Sequence, residues 1–182
     1  SDLSYTDIPT LCTMLYAVEI PEVGGDTEWS NIYLAYEGLS KKMKRKIDGL
    51  HARHTFNRFR NPRVEVPDIY KGKGKERYVD IAPPDAIHPV VRTHPETGRK
   101  ALYISERFTI GIEELEEEEG QALLDELIAH QKQRDFIYRH KWDLRDLTIW
   151  DNRCLIHLAC GGVPEGQIRH MHRTIVRGDK PY

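Results

Sequence analysis

The sequence predicts a β-rich α+β fold, a barrel or jelly roll with helices packed on its outside. Three observations point there. Short apolar, partly β-branched runs recur along the chain, turn residues separate them at close intervals, and only one segment has the length and periodicity of a full helix. The 182 residues suit a single domain, 1–182, large enough to bury a stable core without cross-links.

The elements follow in chain order. Cys12 to Ile20 is apolar and bounded by Pro9 and Pro21, which predicts a strand. Gly24-Gly25-Asp26 predicts a turn, and Thr27 to Asn31 a short extended segment. Tyr33 to Leu39 predicts a helical turn. Ser40 is placed to cap a second short helix that runs to Lys46 and stops near Gly49. Residues 57–84 carry six prolines and glycines with many basic side chains between them, and predict a long polar loop or lid over the site. His88 to Thr93 and Lys100 to Ser105 flank Pro95-Glu96-Thr97-Gly98 and predict a hairpin. In Glu116 to His130, Leu123, Leu124, Leu127 and Ile128 share one helical face behind an acidic first turn. Arg139 to Trp142, Leu147 to Trp150 and His170 to Val176 predict three more strands. Ser1 to Pro9 reads as the interior of a domain, so an N-terminal part of the fold is expected to be missing from this sequence.

Composition narrows the function. Net charge is −2 and the hydrophobic fraction 39%, a balance that suits neither nucleic acid nor an anionic membrane surface. No apolar run approaches the roughly 20 residues a bilayer requires. The cysteines, Cys12, Cys154 and Cys160, are odd in number and sparse, which predicts reduced thiols in a cytoplasmic setting rather than a disulfide framework. Cys154 and Cys160 flank His157, but no C-x-x-C accompanies them, so they read as structural.

The chemistry concentrates near the C-terminus. Residues 169, 171 and 173 of a strand share one face. Arg169 and Arg173 therefore point the same way, and two buried guanidinium groups call for anionic partners such as carboxylates. With His157 close by in sequence, a metal beside a dicarboxylate becomes a sensible occupant.

Ordered along the chain are Gly24-Gly25-Asp26-Thr27, Ala35-Tyr36-Glu37, His88-Pro89-Val90-Val91-Arg92, Trp150-Asp151-Asn152-Arg153 leading to His157, His172-Arg173, and Gly178-Asp179-Lys180-Pro181. In this set and order the chain resembles the taurine dioxygenase family, which includes dichlorophenoxyacetate and alkylsulfatase dioxygenases. The resemblance implies a double-stranded β-helix (jelly roll) with flanking helices, and an iron(II) site of two histidines and one carboxylate that leaves positions open for 2-oxoglutarate and O2. His157 matches the distal histidine. Asp2 matches the carboxylate of an H-x-D motif whose histidine would stand immediately before Ser1. The one literal H-x-[DE] of the chain, His94-Pro95-Glu96, is expected in an exposed hairpin turn and not at the metal. Thr27 and Arg169 match residues that hold the far carboxylate of 2-oxoglutarate. Arg173 matches an arginine at the metal-bound end that also meets the substrate anion, and Phe108 a residue lining the substrate pocket. Asp151 and Asn152 are expected to support the backbone before His157. The resemblance thus implies a dioxygenase that hydroxylates a small anionic substrate, with taurine or another sulfonate favoured, and that works as a homodimer or homotetramer. The alternative is a catalytically inactive β-helix that binds a small anion or a protein.

Overall fold

The computed structural model describes residues 1–66 and 82–182. Two antiparallel sheets carry most of what matters to the site. In the first, β1 (Thr10–Glu19) lies between β9 (Leu147–Asp151) and β11 (His170–Arg177). In the second, β2 (Thr27–Asn31) lies between β8 (Ile137–His140) and β10 (Leu155–Ala159). They meet through aromatic side chains, with Trp150 of β9 set edge-on against Trp29 of β2 at 5.3 Å between ring centroids. Ala17 and Trp142 complete this buried filling.

A second core lies behind them. A third sheet places β3 (His51–His54) between β4 (Ala86–Pro89) and β7 (Thr109–Ile112), and a hairpin joins β5 (Val91–Thr93) to β6 (Lys100–Leu102). Helices α1 (Ile32–Gly38), α2 (Lys41–Ile47) and α3 (Glu117–Gln131) close over them. Leu123, Leu124, Leu127 and Ile128 of α3 pack with Ala35, Ala52 and Leu102. Each such leucine or isoleucine, fully buried, contributes about 1.5–3 kcal/mol relative to exposure. The short helices start where side chains cap them. Asn31 accepts from the Tyr33 and Leu34 amides, and Ser40 from the Met43 amide at 3.1 Å.

Several expectations change. His157 does not follow a strand; it sits on one, β10, which the sequence reading did not resolve. β3 and β7 were not expected either. The hairpin is shorter than expected, because the chain breaks at Val90, and His88 pairs instead with Ala52 in the third sheet. β8 ends at His140, leaving Trp142 beyond it. Of the expected loop or lid, residues 67–81 lie outside the described residues. On its near side Arg58–Arg60 forms a 3-10 turn capped by Asn57. No described helix is long and apolar enough to cross a membrane.

Candidate functional site

Asp2 is held by a closed ring of hydrogen bonds. Its backbone amide donates to Asn152 Oδ1 at 3.0 Å, Asn152 Nδ2 donates to Thr13 Oγ1 at 2.8 Å, and Thr13 donates to Asp2 Oδ2 at 2.6 Å. The amide group can only donate to Thr13, so the hydroxyl proton must go to the carboxylate. Asn152 and Thr13 are fully buried. Oδ2 is thereby committed to the scaffold, and Oδ1 faces outward. It lies 3.8 Å from His157 Nε2 and 3.4 Å from Arg173 Nη2.

Strand pairing explains His157. In the second sheet His157 stands directly opposite Trp29, so both side chains leave the same face. That face looks toward the first sheet, where Trp150 packs 5.0 Å from the imidazole ring. Burial lowers the His157 pKa to about 4, with Arg173 acting the same way and Asp2 opposing it. The ring is therefore neutral at pH 7 and keeps a lone pair. Among the described residues its buried Nδ1 has no hydrogen-bond partner, and ring packing against Trp150 orients it in place of the usual outer hydrogen bond.

A second cluster gathers around the glycine turn. Gly24 and Gly25 have φ of 79° and 72°, a backbone region that disfavours side chains. A Cβ on Gly25 would meet Arg169 Cδ at 2.8 Å, and one on Gly24 would meet the Gly162 carbonyl oxygen at 2.1 Å. Because Gly25 is bare, Arg169 lies across it, donating from Nε to the Gly25 carbonyl at 2.8 Å and reaching Thr27 Oγ1 from Nη2 at 3.4 Å. Trp142 donates its indole N–H to the same hydroxyl at 3.0 Å and lies 5.8 Å under the guanidinium. Among the described residues no carboxylate lies within ion-pair distance of Arg169, and burial lowers its pKa. Arg169 precedes β11 by one residue, so only Arg173 lies on the strand, and its side chain is 49% exposed rather than buried as expected.

Other expected residues fall elsewhere. Phe108 packs against Tyr5 at 5.1 Å, in an aromatic group that includes Phe56. His94 is buried, not exposed. It receives the Glu96 and Thr97 amides on Nδ1, which leaves Nε2 to donate to Asp151 Oδ2 at 3.1 Å. Burial alone would raise the Asp151 pKa, but hydrogen bonds from Arg153 and His94 hold the carboxyl below its usual range. Asp151 thus braces the turn that presents Asn152. Burial pushes the Cys154 thiol up to about 11, so the metal-free chain keeps it protonated at neutral pH. Trp142 and Thr13 were missed, because neither stands in a pattern that marks it in the sequence.

The donor set suits a divalent transition ion. A neutral imidazole and a carboxylate oxygen 3.8 Å apart are too far for a hydrogen bond. Ligand bonds of roughly 2.0–2.2 Å would let one ion touch both. Among the described residues no group of three histidine, cysteine or acidic side chains converges.

The family model described as "Taurine catabolism dioxygenase TauD, TfdA family" matches residues 1–175. The alpha-ketoglutarate-dependent 2,4-dichlorophenoxyacetate dioxygenase of Cupriavidus pinatubonensis is 38% identical over 157 residues, covering 86% of this chain and 52% of that protein. A taurine dioxygenase structure from Burkholderia xenovorans superposes with a TM-score of 0.83 at 34% identity, over 99% of this chain and 56% of that one. The structure of AAD-2 with Mn(II) and N-oxalylglycine superposes at 0.84 and 33% identity, over 100% of this chain and 68% of that one. The chain spans about half the length of the curated relatives it matches.

Proposed function

Because the chain belongs to the TauD/TfdA family of taurine catabolism dioxygenases, we propose that it is an iron(II)- and 2-oxoglutarate-dependent dioxygenase that hydroxylates a small anionic substrate. One observation carries the reading. A partly buried guanidinium, Arg169, lies beside the Thr27 hydroxyl with no carboxylate among the described residues to pair with, on the same molecule as a His157–Asp2 pair able to share an ion. A dicarboxylate spanning the two clusters answers both. Mn(II) and N-oxalylglycine in AAD-2 stand in for such a metal and 2-oxoglutarate.

His157 Nε2 and Asp2 Oδ1 would hold the metal. Iron(II) there supplies oxygen activation coupled to decarboxylation of 2-oxoglutarate to succinate and CO2. Arg169 and Thr27 take the far carboxylate, and Trp142 fixes the hydroxyl that Thr27 offers to it. Arg173 supplies positive charge at the metal end and meets the substrate anion; Phe108 adds an apolar contact for substrate. Taurine or another sulfonate is the favoured substrate class, and a phenoxyacetate suits the same charges. The two facing sheets belong, in this reading, to a double-stranded β-helix in one catalytic domain, cytoplasmic and homo-oligomeric. The rival reading, an inactive β-helix that binds an anion or a protein, draws on the absence of a three-membered ligand cluster among the described residues.

Anaerobic reconstitution with iron(II), then oxygen and 2-oxoglutarate with a panel of sulfonates, sulfate esters and aryloxyacetates, separates the two. Succinate should form and rise with a true substrate. Metal binding without succinate in any mixture would establish the rival.

A further inference from the structure

All three tryptophans of the chain lie in one cluster beside His157. The pairing register extends that cluster to the surface. Across the second sheet His157, Trp29 and Tyr138 stand opposite one another in a single row, so their side chains share a face. Trp150 bridges the first two, 5.0 Å from His157 and 5.3 Å from Trp29. Trp29 in turn stacks on Tyr138 at 6.2 Å and 26°. Trp29 and Trp150 are 6% exposed and Tyr138 63%. The row therefore starts at a candidate metal ligand, passes through two buried indoles and ends in solvent.

The polar partners along it differ in a telling way. Among the described residues Trp29 Nε1 is buried with no hydrogen-bond partner, and Trp150 donates its N–H to the side-chain oxygen of Asn152, an amide with no basicity. An indole oxidised by one electron at either position meets no base among the described residues to take its proton, so it stays a cation and passes the charge on. Tyr138 is different. Its hydroxyl lies 3.3 Å from His140 Nδ1, and His140 Nε2 lies 3.0 Å from Asp146 Oδ2. The carboxylate accepts a hydrogen bond from Nε2–H, which leaves the Nδ1 lone pair facing the phenol. Tyr138 is the first member of the row that can lose an electron and a proton together.

We propose that Trp150, Trp29 and Tyr138 form a hole-transfer relay that drains an unused oxidising equivalent from the metal site to the protein surface. This rests on the oxygen-activating reading above. When oxygen is activated with no substrate in place, one electron leaves Tyr138 and its phenolic proton passes to His140 Nδ1. Trp29 and Trp150 pass that electron inward ring by ring, so that an oxidant held at His157 and Asp2 would gain one electron. A soluble one-electron reductant such as ascorbate returns the electron to the tyrosyl oxygen, and the proton comes back from His140. Ring contact at every step matters, since electron tunnelling falls off exponentially with distance. The relay would spare His157 and Asp2 from oxidation during uncoupled turnover.

Pulse radiolysis of the metal-free chain with azide radicals tests the relay by itself, because an azide radical takes one electron from an indole and becomes azide. The tryptophan radical should decay in a first-order, concentration-independent step as a tyrosyl radical grows in. Tyr138→Phe, a surface change that leaves the fold intact, should abolish that growth, while Tyr182→Phe, at an equally exposed tyrosine, should not. Tyrosyl growth that survives Tyr138→Phe, or no growth in the parent chain, would overturn the proposal whatever the protein's activity. A second arm uses iron(II), 2-oxoglutarate and oxygen without substrate, read by succinate and by peptide mass spectrometry. With succinate formed, Tyr138→Phe should move oxidative damage from residue 138 to Trp29, Trp150 and His157; an unmoved damage pattern counts against the relay. Absent succinate refutes the oxygenase reading, and radiolysis then decides the relay alone.

Discussion

Gly25 and Arg169 are coupled by the absence of one carbon. Gly25→Ala would set a Cβ 2.8 Å from Arg169 Cδ at a φ of 72°, so the guanidinium must leave the Thr27 hydroxyl. Weaker 2-oxoglutarate binding by calorimetry is expected, with metal binding kept, and Arg169→Ala should weaken it further because a charge-assisted pair is lost. Unchanged affinity in both would remove Arg169 from the site. Asp2 makes the complementary case. Its Oδ1 is the half of the carboxylate left free by the Thr13–Asn152 ring, so Asp2→Ala should cost metal affinity at least about tenfold, as loss of even an outer partner does. Trp150 lies 5.0 Å from His157, which makes quenching of its fluorescence by Co(II) a direct readout; equal quenching curves for the variant and the parent would refute the assignment.

At the level of elements, α2 shows how much a short helix owes to its cap. It has no acidic residue in its first turn, and only Ile47 is buried. Ser40→Ala removes the acceptor for the Met43 amide and should lower stability by about 1 kcal/mol in urea unfolding; no change would mean the helix is held by packing alone. Ser40 was legible because a cap is a local signal. So was α3, whose leucines recur at the helical period, and so was β1, long enough for apolar residues to dominate. β3 was not legible, although Ala52 and His54 are buried in alternation, because a buried histidine looks polar in a sequence. β10 was hidden for another reason. None of its residues is buried, three being half-buried and two exposed, so no alternation marks it. His94 was misplaced because Pro95 to Gly98 forms a turn, yet the turn folds its first residue inward onto Asp151. Trp142 has no local pattern at all; its place beside Thr27 comes from pairing between β2 and β8, which a linear reading does not contain.

For the molecule as a whole, the segment carrying Asp2 is attached to the second core through histidines. Ser4 Oγ lies 3.2 Å from His54 Nδ1, and the Thr6 carbonyl accepts from His88 Nε2 at 3.0 Å. The two rings sit 5.3 Å apart against Tyr103, and both are fully buried. Burial holds His54 well below the usual histidine pKa, and its neighbour His88 pushes the same way; burial lowers His88 as well, against the Thr6 hydrogen bond. The folded chain thus keeps both rings neutral while the unfolded chain protonates them below about pH 6.5. The unfolded state then binds more protons, so stability present at pH 7 and above falls as pH drops from about 6.5 toward the folded pKa values. Each histidine contributes up to about 1.4 kcal/mol per pH unit in that window. Carboxylates held low, such as Asp151 and Glu114, act in the same direction only nearer their own pKa values of about 4. Urea midpoints of the metal-free chain between pH 7.5 and 5 span this window, to which His157 also contributes, so the variant carries the test of the pair. His54→Asn keeps a polar group near Ser4 and removes the titration, so the variant should start less stable yet show a shallower pH slope. Because the pair secures the loop that bears Asp2, amide exchange of residues 3–8 should quicken with acid before the helices loosen. A midpoint flat across this range, or parallel slopes for the variant and the parent, would show that the pair is not what ties the Asp2 segment to the core.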